Sequence, residues 1–359
     1  MLLEILACVL PLVPPAAGDE SHARLAKAYV GAIHDLNEKH ARNPGQESED
    51  ELAKKLPKPA LEALDQLLGE KSGPELAAAL RQCFEAALDL ARMEDFQKIR
   101  ERLAVEERDG AAKLDTALAR PRFLLRGVGG LDAKYLEGFA DVLDGVLGAY
   151  DEVFGFREFS KVPGKKLRVR LRLVEAITAP PHFGPEFPYH SEIDFPVIDA
   201  KELASPTADG KFLFYGLCHE LGHVIAMWDT DAQKVDFHTW AHYCGVTIVE
   251  HLAAKNPAPK WMAKLRDVQW RALAKEREAA KKEKPALDSD KGVMATWIAL
   301  HDRVGPKAIG DAINQLDAHG EGRRVNRVRY YTFALLEKAL LATVAKDAAK
   351  RKAVQELFR

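Results

Sequence analysis

"GLCHELGHVIAMWDTDAQKVDFHTWAHYCG", residues 216–245, is the stretch that decides how this chain is read. It carries four of the 12 histidines, one glutamate and three aspartates. His219, Glu220 and His223 spell His-Glu-x-x-His, and the flanking "FLFYGLC" and "VIAMW" make the motif part of a buried apolar helix. Residues at i and i+4 share a helix face roughly 6 Å apart, so both imidazoles can turn a nitrogen to one zinc ion. Glu220 lies about 100° round the same turn, within reach of a water on that ion but outside its ligands. Zinc brings the pKa of such a water toward about 7, and a carboxylate there can take the proton as general base. A histidine–glutamate pair in an apolar helix otherwise has to find partners.

Around this motif the composition is that of an ordinary globular protein, with 47% hydrophobic and 30% charged residues in 359. Lys and Arg (52) nearly balance Asp and Glu (54), which gives no electrostatic reason to expect nucleic acid or an anionic membrane as partner. "MLLEILACVLPLVPPAAG", residues 1–18, is a short apolar run ending in small residues. It reads as a signal removed after Gly18, which implies a secreted or periplasmic protein. No later stretch approaches the roughly 20 apolar residues of a membrane span. Without Cys8, three cysteines remain, too few for a disulfide framework. Cys218 and Cys244 flank the motif and are either a pair or two small buried residues.

Residues 19–122 read as a helical N-terminal domain. "SHARLAKAYVGAIHDL" sets Leu25, Tyr29, Ile33 and Leu36 at helical spacing, and Ser72 with Glu75 suggests a capping box ahead of a helix. "EKHARNPGQESEDE" between them reads as a polar loop, and "VEERDGAAKLDTALARPR" as the join to the second domain. Residues 123–359 form that domain, an α/β part to 255 and a helical part beyond it. In "LDAKYLEGFADVLDGVLGAYDEVFGF", Tyr135, Phe139, Val142, Val146 and Tyr150 line one helix face and Gly155 marks its stop. "LRVRLRLVE" alternates Leu167, Val169, Leu171 and Leu173 with three arginines, the pattern of a half-buried strand. "EIDFPVID" is a second strand, which Pro196 assigns to a sheet edge. "GVMATWIALHDRVGPKAIGDAINQL" reads as two helices broken at Gly305–Pro306, and "RYYTFALLEKALLATV" as a further helix. The expected class is therefore α+β, mostly helical, with a small mixed sheet.

A helix, a strand, an edge strand, "HELGH" on a helix and a helical C-terminal part together resemble the zincin metallopeptidases, and within them the gluzincins. The resemblance covers roughly residues 125–345 in outline, with "HELGH" as its sharp motif. It implies a zinc-dependent hydrolysis of peptide bonds in a protein or peptide substrate, with Glu220 as the base. In gluzincins the third ligand is a glutamate about 19 or 20 residues past the second histidine. Here that distance falls on His242, set in "HTWAHYCG", so the implied ligand set is His219, His223 and His242. Asp229, His238, Asp236 and Glu250 are its rivals. Asp229 has the metzincin spacing, but Ala226 replaces the glycine that would turn the chain back. Asp236 and His238 fall at the start of the next helix, where Asp236 suits a cap. Glu250 is two turns past His242. The same resemblance places Tyr330, in "RYYTFALLEKAL", as the group that steadies the oxyanion. The aminopeptidase signature Gly-x-Met-Glu-Asn is missing from the edge strand. A non-catalytic metal- or peptide-binding protein of the cell envelope is the alternative, and Glu220 argues against it, since a purely structural zinc site needs no base.

Overall fold

The arginine-studded strand lies at the centre of a five-stranded sheet. The computed structural model describes residues 19–42, 47–107, 114–160, 164–174, 182–184, 192–197, 213–228, 238–255, 274–325 and 328–359. The segment read as a signal, residues 1–18, is outside these. The described chain is mostly helical with a small mixed sheet, the coarse α+β class expected. It divides into two compact units. One takes in Met1–Lys39 and Asp50–Ala112, the other His40–Glu49 and Lys113–Arg359.

The first unit is built from α1 (Asp19–Arg42, up to Lys39), most of α2 (Glu49–Ala53), α3 (Lys58–Gly69), α4 (Pro74–Asp89) and α5 (Met93–Glu106). Tyr29 is fully buried and donates its hydroxyl to Asp95 at 2.8 Å, and Asp95 also takes the Arg92 guanidinium at 2.8 Å. Phe84 and Phe96 pack with ring centroids 4.5 Å apart. The capping box is not used. Gly73 is the N-cap of α4, and Glu106 takes both the Ser72 hydroxyl and the Gly73 N–H.

In the second unit the sheet runs β1 (Thr116–Ala119), β2 (Phe123–Val128), β3 (Leu167–Leu173), β5 (Glu192–Val197), β4 (His182–Gly184). The inner pairs β2/β3 and β3/β5 are parallel and the outer ones antiparallel. β1 arises from the stretch read as a join, and Lys113 onward falls in this second unit. Leu167, Val169 and Leu171 are fully buried against α6 (Ala133–Phe154), where Phe139 meets Phe195 edge-on at 5.4 Å. Gly155, with φ 79°, ends α6 in the left-handed conformation glycine adopts without strain.

The arginine face is only partly open to solvent, with Arg170 and Arg172 half-buried. Arg168 is buried and grips Glu49 with both guanidinium nitrogens, at 2.9 and 2.7 Å, while Lys165 reaches the same carboxylate at 3.1 Å. Arg170 and Arg172 pair with Asp194 on the neighbouring strand at 3.3 and 3.1 Å. Glu49 thus comes from a segment read as a polar loop and is buried as a counter-ion. Burial opposes its charge, but Arg168 and Lys165 prevail and hold its carboxyl at about 2 instead of 4.5.

Pro196 does not make β5 an edge along its whole length. Among the described residues, β4 pairs with residues 192–194. The Val197 carbonyl accepts from Val174 N–H at 2.9 Å, so alternation turns Pro196 away from β3, to the side of β4. The missing N–H therefore costs no ladder bond to β3.

A second, three-stranded sheet orders β6 (Met227–Trp228), β8 (Val328–Tyr331) and β7 (Arg323–Val325). The remaining helices are α7 (Leu213–Ile225), α8 (His238–Ala254), α9 (Asp290–Val304), α10 (Pro306–Ala318), α11 (Phe333–Thr343) and α12 (Ala348–Leu357), with helical residues at 274–282. The break between α9 and α10 is at Gly305–Pro306 as expected. The first residues of "RYYTFALLEKALLATV" are strand, and α11 starts only after Thr332, which caps it by accepting from Leu335 N–H. Among the described residues, no helix is long and apolar enough to cross a membrane.

Candidate metal centre

α7 and α8 lie against each other and supply the centre. Tyr215, His219 and His223 repeat at i, i+4 and i+8, so they form one stripe along α7. His238 and His242 repeat at i and i+4 on α8 and face that stripe in reverse order, His238 against His219 and His223, His242 against Tyr215. The close approach depends on two glycines. A Cβ at Gly222 would stand 2.8 Å from Ala241 Cα, and one at Gly245 would stand 2.6 Å from the Tyr215 ring. Trp240 locks the pair by donating its indole N–H to the Gly222 carbonyl at 3.0 Å. Tyr150 on α6 donates to the carbonyl of Cys218 at 2.5 Å, just ahead of His219.

Three ring nitrogens converge. His219 Nε2, His223 Nε2 and His238 Nδ1 stand 3.2, 3.1 and 3.0 Å apart. A ring nitrogen of a neutral imidazole is either a donor or an acceptor. Of three in mutual contact, two must be alike, so one edge of the triangle is repulsive whatever the tautomers. A cation accepting all three lone pairs removes that conflict. Zinc–nitrogen bonds of about 2.0–2.1 Å in tetrahedral geometry put nitrogens about 3.3–3.4 Å apart, close to what the chain provides. Burial first, and the His238 ring second, press His223 down to about 3, so it is a neutral imidazole with a lone pair to give at neutral pH. His219, Glu220 and His223 are 8%, 7% and 3% exposed, whereas His238 is exposed, so the cluster opens to solvent on its α8 side.

His242 is not brought to the cluster. It begins the second turn of α8, roughly 6 Å along the axis from His238. Its Nδ1 meets the Tyr215 hydroxyl and its Nε2 lies 3.2 Å from Glu276 Oε2. The third histidine is therefore 15 residues past His223 and not 19, because α8 starts at His238 and aims its first residue across at α7. Glu250 is three turns from His238, roughly 18 Å along the helix, and is held by Arg277, which also bonds Asp302 at 3.3 Å. Asp229 and Asp236 lie outside the described residues. Cys218 and Cys244 are buried free thiols, each pushed up by burial.

Tyr330 stands on a strand, not on the helix its sequence context implied. Its Cα pairs with Met227, four residues past His223, and the Arg323 guanidinium sits over its ring at 5.8 Å. Its neighbour Tyr331 turns inward and donates to Asp317 at 2.9 Å.

Tyr215 and Glu276 are the residues that sequence reasoning missed. The Tyr215 hydroxyl lies 3.4 Å from His219 Nδ1 and also contacts His242 Nδ1. Burial above all, and then nearby charge led by Glu276, hold its phenol well above the ordinary range, so it remains a hydroxyl. The signal for Tyr215 was present as its i−4 spacing from His219; nothing local marks Glu276. Compared with protein-family models, with curated proteins and with solved structures, the chain matches none.

Proposed function

We propose that this chain is a zinc-dependent peptidase, with His219, His223 and His238 as the metal ligands. The convergence of three histidine nitrogens, one of them on the open side, next to the buried carboxylate-bearing Glu220 carries the reading. Bound zinc would supply Lewis-acid polarisation of a carbonyl and a lowered pKa for water. Glu220, one residue from a ligand, would take the proton of the attacking water and return it to the leaving amine. Tyr330 is the candidate to donate a hydrogen bond to the oxyanion, from β8, which pairs with the β6 strand that follows α7. The exposed side at His238 is where an extended peptide would enter. The zincin resemblance supports this arrangement, but the 15-residue spacing to His238 departs from the gluzincin pattern, so the branch is not part of the proposal.

The test is zinc content of the purified protein with cleavage of a peptide library, with and without chelator. Glu220→Gln should keep about one zinc per chain and lose hydrolysis by orders of magnitude. A Glu220→Gln protein as active as wild type would overturn the mechanism, and zinc bound without any hydrolysis would leave a binding protein.

A further inference from the structure

The convergence of two helical stripes does more than gather ligands. Behind His219 stands a row of polar groups: the Tyr215 hydroxyl at 3.4 Å from His219 Nδ1, His242 Nδ1 against that hydroxyl, and Glu276 Oε2 at 3.2 Å from His242 Nε2. We propose that Tyr215, His242 and Glu276 form a one-way hydrogen-bonded chain that fixes the tautomer and ring orientation of His219, making His242 a positioning residue and not a ligand. The inference rests on the proposed function, in which His219, His223 and His238 hold zinc.

The direction of the chain comes from the donor inventory. His219 turns Nε2 into the triangle, so that nitrogen must carry the lone pair and Nδ1 must carry the proton. His219 Nδ1–H therefore donates to the Tyr215 oxygen. The tyrosine has one proton, and it goes to His242 Nδ1, the other group in contact. His242 is then protonated on Nε2, which faces the Glu276 carboxylate. Each member has one role, and reversing any one of them leaves two donors or two acceptors facing each other. A metal-bound imidazole normally has its second nitrogen held in this way, and loss of the holder typically weakens metal binding 10–100-fold. In this chain the holder is a tyrosine one turn upstream on the same helix, buried to 2% exposure, with its ring against Gly245. The requirement for glycine at 245 is explained by that ring.

The test uses full-length protein stripped of metal, with zinc added back against a chromophoric chelator of known affinity. Wild type should take one zinc. His238→Ala should lose the site. Tyr215→Phe keeps the ring and removes only the hydroxyl, and should still take one zinc at saturation with affinity down 10–100-fold. His242→Ala should behave like Tyr215→Phe, and His242→Gln, which can still accept from the tyrosine, should recover part of the loss. Long-range 1H–15N correlation on zinc-loaded wild type should show His219 protonated at Nδ1. The unfolding midpoint of each metal-free variant reports folding separately. If wild type takes zinc but Tyr215→Phe and His242→Ala match its affinity, the inference is overturned while the proposed site stands. If His242→Ala abolishes binding and His238→Ala does not, His242 is a ligand and both fall. Wild type that takes no zinc removes the metal centre and the inference with it.

Discussion

Gly222 separates the two motif histidines of α7 by its position in "HELGH", and its replacement by alanine tests whether helix approach sets the centre. A Cβ there would meet Ala241 Cα at 2.8 Å, with Cys244 Cβ at 3.2 Å and Ala241 Cβ at 3.3 Å behind it. The nearest atom is backbone and cannot swing away. Restoring ordinary contact requires α8 to retreat by roughly 0.6 Å or more, and His238 is three residues from Ala241 on that helix. Alanine would gain about 1 kcal/mol over glycine in helix propensity. Overpacking against a fixed backbone costs about 1–3 kcal/mol, so the clash should win. The larger effect is on the metal. The His238 nitrogen, now 3.1 and 3.0 Å from those of His219 and His223, would be drawn toward roughly 3.6–3.7 Å, beyond the about 3.3–3.4 Å that tetrahedral zinc spans. We expect zinc affinity to fall at least tenfold, about 1.4 kcal/mol. The metal-free protein should lose roughly 2–4 °C of unfolding midpoint per kcal/mol. Chelator competition and thermal unfolding measure the two separately. Gly222→Ala with wild-type affinity and midpoint would show that the site does not depend on the contact between these helices.

Two further outcomes are expected. Tyr330→Phe should lower kcat about 10²–10³-fold with a smaller change in KM, as removal of an oxyanion donor does, whereas Tyr331→Phe, which loses the bond to Asp317, should cost about 1 kcal/mol of stability and spare kcat; equal kcat for Tyr330→Phe and wild type would remove Tyr330 from the mechanism. Because Glu49 is held below its unfolded value, its stabilisation is present above pH 4.5 and is lost as pH falls toward about 2, on the order of 3 kcal/mol in all; urea unfolding across that window should show this slope in wild type and a flatter one in Glu49→Ala.

The elements legible in the sequence were those whose residues answer to local rules. α6 followed from one apolar face and a stop glycine, β3 from strict alternation, the α9–α10 break from Gly305–Pro306, and His219, Glu220 and His223 from a spacing that a helix converts directly into shared facing. What was not legible depended on partners far along the chain. The arginines of β3 look like a solvent face, yet Arg168 is buried because Glu49, 119 residues earlier, neutralises it. "RYY" looks like the first turn of α11, yet it is strand because β6 and β7 offer ladder partners on both sides. Ser72 looks like a cap, yet its hydroxyl is taken by Glu106.

A spacing borrowed from a family can point one helical turn away from the histidine that joins the cluster, and His238 and His242 show why. Both histidines lie on the same face of α8, four residues apart, and that face meets an equally periodic stripe on α7. Helix packing of this kind fixes which faces meet, but the axial register decides which residues stand opposite. Here register is fixed by the small residues: Gly222 receives Ala241, and Gly245 receives the Tyr215 ring. Those two contacts put His238 level with the space between His219 and His223, and His242 level with Tyr215. A slide of one turn would bring His242 to the ligand position and would also set Gly245 away from the bulky Tyr215 ring. The glycines and the histidines therefore agree on a single register, and in that register His238 stands where the lone pairs converge while His242 stands against the Tyr215 hydroxyl behind His219.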